Sequence, residues 1–474
     1  MQKIETPQFV QSTGSRVIAY ILSISNEEAE YGLQKSIFEI STEKLDVLNQ
    51  YIELCKMHRI KYINNTDIDM YMLYDLNRSF VDKRHIFNIW REQSGGDRFA
   101  VYHSDDNIVK LLNRLYVELY PLFLVNRTCR NQHSDMILND IGHTINSLPE
   151  RKCLYDEIMN NEHIPLIFHT KEKHDLCVHG HYRSSTGRGG SIHLYLLPSM
   201  LFLNSYRLMR MRGCFDSKSF SEAAEYTVNT LRRCINGETV DVPLFLGFSN
   251  VSIDNIGKIE TKWGTIRPIG EGLSELSPKN FSVTSIDDKQ YKLGFILESS
   301  YPCKITFTRQ YGEIEYPKEM TDARKKIDEL TENISFCFSL ACKRKPPVSM
   351  YLAWKMIFDP ITHGTRVGYF SNSRTAITHF ILKKNQEKDE LVTWCHRIKN
   401  TDDKNIRLAI RRVLSAINKR TNPADSFVDI IIAWENLFGT PEKIGSSISG
   451  SIANLLGGTR KQRREIKTKV TNYL

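Results

Sequence analysis

The densest set of metal-type side chains lies between His169 and His181, where His169, His174, Cys177, His179 and His181 offer imidazoles and one thiol. Alternation along a strand would put Cys177, His179 and His181 on one face. Neutral imidazole together with thiolate suits a tetrahedral zinc ion. The spacing matches no zinc-finger or metalloprotease pattern, and no second cysteine pair stands at a fixed offset. A polar strand with solvent-facing histidines accounts for the same residues. His174, Cys177, His179 and His181 are therefore the metal-ligand candidates, and no cofactor is expected. The glycine-rich run from Arg183 to Ser191 lacks the Gly-Lys-Ser/Thr ending of a phosphate-binding loop and reads as a hairpin or irregular loop. No Gly-x-Ser-x-Gly elbow, HExxH helix, kinase set or dinucleotide fingerprint occurs. A different chemistry is written near the chain's end. Arg460, Lys461, Arg463, Arg464, Lys467 and Lys469 crowd one short segment. Arg460, Arg463 and Arg464 have the forked geometry that grips phosphates, or they keep an exposed helix soluble.

The elements that carry these residues are legible from periodicity. Pro423 to Gly439 has Pro and Asp near a helix start and Gly just past its end. Phe427, Ile430, Ile431, Trp434 and Phe438 fall at three- and four-residue steps, which predicts a broad buried face. Glu435 sits beside Val428, Ile431 and Ile432 and is expected to point partly inward. Ile444, Ile448, Ile452 and Leu455 make a second stripe, ended by Gly457 and Gly458. Thr459 opens a third helix with Gln462 as its capping-box partner. Ile466, Val470 and Tyr473 form that helix's apolar side and are expected to stay exposed. Upstream, residues 1–25 read as strand and turn, and Glu27 to Leu124 as mainly helical. Ile164 to Phe168 and Ile192 to Leu197 read as strands, residues 220–236 as a helix, and Val242 to Phe307 as mostly strands. Helices are expected again over Ala323 to Phe338, Thr375 to Lys384 and Glu387 to Lys399. Another follows through Ile406, Ile410, Val413 and Ile417, with Arg407, Arg411 and Arg412 facing away.

Composition bounds the class. With 474 residues the chain is long enough for several domains, and 41% hydrophobic with 25% charged residues is ordinary for a globular protein. No window reaches membrane-spanning length, and Val17 to Ile24 is too short for a span or a secretion signal. Ten scattered cysteines point to reduced thiols in a cytoplasm. The net charge of +9 is unevenly placed: Thr321 to Leu474 holds 27 Lys/Arg against 15 Asp/Glu, and the remainder 37 against 40. All the excess positive charge therefore lies in the last third, as a phosphate-facing domain would need. Solvated helix faces would look similar.

The C-terminal stretch resembles the ApeA-like HEPN family. The matching residues are Asp425, Asp429-Ile430-Ile431-Ile432-Ala433-Trp434-Glu435-Asn436-Leu437-Phe438, Ile448 to Gly458, and Thr459 to Tyr473. The resemblance implies a helical bundle of the metal-independent ribonuclease kind, acting as a homodimer on RNA in bacterial anti-phage defence, with a phage protein as a potential trigger. In that family an Arg followed four to six residues later by a His comes shortly after the Tyr of the last helix. Here that position follows Tyr473 and Leu474, so the protein is expected to be inactive or incomplete as a nuclease. Elsewhere the same spacing occurs at Arg98/His103, Arg127/His133, Arg188/His193 and Arg374/His379. Of these, Arg374/His379 lies nearest the helical domain, and with Glu435 it completes the catalytic candidates. Glu435 is singled out because family members keep a polar or acidic group there; an ion pair with a neighbouring Arg would explain it equally. Arg460, Arg463, Arg464 and Lys467 are the RNA-binding candidates.

The expected architecture is α+β. It has a mainly helical N-terminal region over residues 1–150, a β-rich centre over 151–320, and a HEPN-like α-helical bundle over 321–474. The alternative reading is a non-catalytic RNA- or protein-binding regulator that dimerises through the bundle. RNA and a second copy of the chain are the expected partners, the membrane is not, and a cytoplasmic location is expected.

Overall fold

The structure is a computed structural model. It describes residues 2–61, 63, 72, 75–82, 84–124, 141–142, 144–146, 148, 150–168, 179–253, 256–269, 283–284, 290–291, 293–308, 315–343, 348–361, 368–369, 380–382, 385–400, 404–420, 422–439 and 444–473. The fold class is α+β, with helices and mainly antiparallel sheets in partly separate regions.

The N-terminal unit begins with β1 (Gln2–Glu5), the single turn α1 (Gln8–Gln11), α2 (Ser15–Leu22), α3 (Asn26–Lys35), β2 (Ile37–Ile40) and α4 (Thr42–Lys61). β1 and β2 pair antiparallel, as do the short β3 (Phe80–Val81) and β4 (Arg84–His85). α5 (Ile86–Gln93) completes the unit, whose core gathers Val17, Ile21, Leu48, Tyr51, Phe87 and Trp90. The strand-and-turn expectation for residues 1–25 is corrected here by α2. Val17 to Leu22 is apolar without interruption and all of it is buried. Such a run carries neither a two- nor a 3.6-residue period, so strand and helix read alike from sequence.

The centre is built on α6 (Asn107–Leu119), α7 (Glu150–Asn160), α8 (Leu197–Met211) and α9 (Ser217–Ile235). Every residue of α8 is buried, which explains the absence of a polar stripe in it. Ile164–Phe168 forms a 3-10 turn and not the expected strand, and Pro165 supplies the reason, because it cannot donate to a ladder. The glycine-rich run becomes a hairpin between β5 (His179–Ser184) and β6 (Gly189–His193). Beyond His193 the chain turns helical, so Leu194 to Leu197 is not strand.

The main sheet has six strands. In chain order they are β7 (Val240–Ser249), β9 (Ile259–Thr261), β10 (Gly264–Arg267), β13 (Leu293–Cys303), β15 (Tyr351–Ile357) and β16 (Gly368–Tyr369), arranged β16-β15-β7-β13-β10-β9 with antiparallel neighbours. Nine of the ten residues of β7 are buried, the mark of an interior strand covered on both faces. Pro243 is tolerated there because β15 pairs only from Leu244 onward, while the Pro243 carbonyl accepts from the Phe358 N–H at 2.9 Å. Gly294 marks a register shift against β7, and a Cβ there would stand 1.6 Å from the Val251 carbonyl oxygen. The remaining strands are small: β8 (Val251–Ser252), β11 (Val283–Thr284), β12 (Gln290–Tyr291), β14 (Ile305–Thr308) and β17 (Phe380–Ile381). β14 extends the β5–β6 hairpin, and β17 pairs with β8 in parallel. β17 corrects the helix expected over Thr375 to Lys384, of which residues 375–379 and 383–384 lie outside the described residues.

The C-terminal part follows as α10 (Glu319–Cys342), α11 (Asn385–Lys399), α12 (Lys404–Asn418), α13 (Pro423–Phe438), α14 (Ile444–Leu456) and α15 (Arg460–Thr471). Cys337, Cys342 and Cys395 are buried among apolar neighbours, as small hydrophobes would be. Among the described residues no helix is long and apolar enough to cross a membrane.

Candidate nucleic-acid interface

α15 is a helix because both its ends and its inner face are provided for. At its start the Gln462 N–H donates to Thr459 Oγ1 at 3.2 Å, and the Thr459 N–H donates to Gln462 Oε1 at 2.9 Å. The expected capping box is therefore in place. Val470 is buried and Ile466 half-buried against Ile448, Ile452, Trp434 and Phe438. This corrects the expectation that the stripe stays exposed. Only Tyr473 does so, at 68% exposure, with its ring 6.4 Å from that of Phe427.

With that side occupied, the cations have nowhere to go but outward. Arg460, Lys461, Arg463, Arg464, Lys467 and Lys469 are all exposed. Arg460, Arg463, Arg464 and Lys467 fall at steps of three and four, so they share one face. Among the described residues none of them is in an ion pair, and Glu465 is the one acid in the helix. Arg463 is steadied by donating from Nε to the Gly457 carbonyl at 2.8 Å, a neutral acceptor that leaves its charge uncompensated. All four RNA-binding candidates are thus brought together.

The supporting face of α13 differs from its expected form. Asp429 and Ala433 are its buried residues, while Phe427 is 44% exposed and Ile430, Ile431, Trp434 and Phe438 are half-buried. Asp429 faces α12 and binds two arginines. Arg412 Nη1 donates to Oδ1 at 2.9 Å, and Arg420 Nε donates to Oδ2 at 2.7 Å. The Arg420 hydrogen bond, helped by that from Arg412, holds the Asp429 carboxyl down at about 2. Glu435 is exposed, which corrects the inward orientation expected for it. Two residues after Ala433 is about 200° around a helix, so the side that buries Ala433 turns Glu435 to solvent. Arg407 and Arg411 do not simply face away either. They reach across to α10 and pair with Glu329 at 3.8 Å and Glu332 at 2.8 Å.

The other candidates are placed as follows. Arg374, His379, His174 and Cys177 lie outside the described residues. His179 and His181 sit on β5 with ring centroids 5.1 Å apart, and His179 stands opposite His193 at 5.8 Å. His181 Nδ1 lies 2.9 Å from Ser191 Oγ, and burial lowers its pKa, with the charges of His179, Arg183 and His193 adding to the effect. Among the described residues no group of three or more His, Cys, Asp or Glu could hold a metal ion. Arg98 is tied to Glu118, and His103 stands in the open 3.4 Å from Asp105, so that pair does not converge on a reaction centre.

Sequence reasoning missed Asp429 as a site residue, although it stood inside the quoted resemblance. The available signal was a lone acid in an apolar run followed in space by an arginine-rich helix. No family model, curated protein or solved structure matches the chain.

Proposed function

We propose that the protein is an RNA-directed anti-phage defence or toxin protein of the ApeA-like HEPN kind. It works in the cytoplasm as a homodimer and grips RNA phosphates with α15. The observation that carries this reading is the single exposed face of Arg460, Arg463, Arg464 and Lys467, free of carboxylate partners among the described residues. Four cations meeting four phosphates of a single strand release counterions and give a salt slope of about −3 in log K against log [salt], roughly −0.7 per contact. Support for dimerisation comes from apolar side chains left open on the same bundle. These are Phe427, Val428 and Leu437 on α13, and Leu455 and Leu456 on α14 at 70% and 72% exposure.

The test is anisotropy of a short labelled single-stranded RNA over a salt series with metal chelated, the same samples then being run on a denaturing gel. The parent is expected to show the slope above. The variant Arg460→Gln/Arg463→Gln/Arg464→Gln/Lys467→Gln is expected to be nearly salt-independent and at least tenfold weaker. Equal binding by both proteins would remove the reading. Bound but uncut RNA would favour the regulatory form of it, and cut RNA the nuclease form.

A further inference from the structure

A further surface lies at the turn between α14 and α15. Leu455 and Leu456 follow Ile452 by three and four residues, so they continue the stripe that Ile448 and Ile452 bury at 0% and 6% exposure. The bundle ends before they do. Leu455 is 70% exposed, and Leu456, at 72%, is the most exposed large apolar side chain among the described residues. The last turn of α14 therefore projects, and its two leucines stand in water.

The turn that follows fixes cations beside them. The Gly457 N–H donates to the Ala453 carbonyl at 2.9 Å, closing α14, and the Gly457 carbonyl accepts from Arg463 Nε at 2.8 Å. A Cβ on Gly457 would stand 2.6 Å from Arg463 Cγ, so the arginine stem lies against bare backbone and its guanidinium is held at the residue after Leu456. Arg460, Lys461 and Arg464 belong to the opening turns of α15, which leave the same apex. From Ile444 to Tyr473 six cations stand against the single acid Glu465.

Two exposed leucines at an apex collared by cations match the boundary of an anionic bilayer. Hydrocarbon takes the apolar tips there, and lipid phosphates and carboxylates take the guanidiniums and ammoniums. Other occupants fit less well. RNA pairs with the cations but offers nothing to an aliphatic tip, since bases stack on aromatic rings. A second copy seated on the apex about a two-fold axis would bring the same cations against one another. Phe427, Val428 and Leu437 on α13 remain for the homodimer. We propose that the α14–α15 apex docks the protein on the surface of an anionic membrane. Leu455 and Leu456 enter the acyl boundary, and Arg460, Lys461, Arg463 and Arg464 lie at headgroup level. Such a contact needs two side chains and not a span, so it leaves no hydropathy signal in the sequence. The docking shares cations with the RNA face but rests on the leucines, which the RNA reading does not use.

The experiment is flotation of the full chain with vesicles of phosphatidylcholine alone, and of phosphatidylcholine and phosphatidylserine in equal parts. The mixed vesicles are expected to take up the parent at least tenfold more strongly. Leu455→Ser/Leu456→Ser is expected to lose at least tenfold of that affinity. It should keep the parent's unfolding midpoint and RNA salt slope, because both side chains already stand in water. Leu455→Trp/Leu456→Trp, whose rings favour the membrane boundary, is expected to bind at least as well as the parent. The α15 variant described above is expected to lose the preference for mixed vesicles. Absence of binding to mixed vesicles overturns the proposal even where RNA is bound. Vesicle binding without RNA binding supports it and removes the RNA reading. Parent-like vesicle binding by the serine variant overturns it. So does a serine variant that falls from dimer to monomer in light scattering, which would assign the leucines to a second copy.

Discussion

Asp429 shows how one side chain ties an element in place. Its side chain is 1% exposed, while those of Arg412 and Arg420 are 39% and 43% exposed, so the anion is covered and the cations still reach water. The carboxylate has both oxygens satisfied, which removes most of the cost of burying it. A folded-state pKa of about 2 lies below the ordinary value of about 3.9 for a free aspartate, so the folded state prefers the ionised form. The stabilisation is fully present above the unfolded value and is lost as pH falls through about 2, a contribution of about 2 kcal/mol at neutral pH. Asp429→Asn is expected to lower stability to urea by about 1–3 kcal/mol near neutrality. The gap between parent and variant should close as the pH is lowered toward 2. A gap that stays constant with pH would mean that charge is not what Asp429 contributes. The sequence displays both partners, Arg412 and Asp429, but not their meeting. Periodicity places each side chain on its own helix, and the contact depends on the angle at which two helices cross.

At the scale of the element, α15 illustrates what is legible locally. Its capping box and apolar stripe are set by residues within a few positions of one another, and the structure reproduces both. The face of α13 is set by a neighbour, and there the apolar pattern misleads. Phe427 satisfies the helical spacing and is 44% exposed, yet Asp429 and Ala433 are the residues that are buried. A wide apolar stripe defines a side of a helix only to within the width of the stripe. α15 is short and presents the cationic face, so its order depends strongly on the cap. Thr459→Ala is expected to cost about 1 kcal/mol of local stability, seen as roughly fivefold faster hydrogen exchange of the α15 amides. RNA affinity should fall with it, although no cation has been removed. Unchanged exchange in α15 would show that packing of Val470 and Ile466, and not the cap, holds the helix.

For the whole molecule the decisive feature is that the central sheet is not contiguous in sequence. Its interior strand β7 has β13 on one side and β15 on the other, and β15 with β16 comes from beyond residue 320. Strand character in the region of Val242 to Phe307 is legible, because alternating and continuous apolar runs are local. The pairing of β7 with Tyr351–Ile357 is not, since α10 and a long stretch of chain intervene. Two ion pairs from α10 to α12, Glu329 with Arg407 and Glu332 with Arg411, further bind the bundle to the element that follows the sheet. A chain cut after residue 320 would therefore leave one edge of β7 open, apolar on both faces and with an unpaired row of backbone groups. Such an edge templates association with other chains. Residues 1–320 alone are expected to elute as large aggregates on size exclusion and to bind an amyloid-type dye. Extending the fragment past β15 should restore a discrete species, because Leu244 to Ser249 regain their partners. A monodisperse 1–320 fragment would show that β13 and the covering helices suffice to protect β7, and that β15 is an addition to the sheet and not a requirement of it.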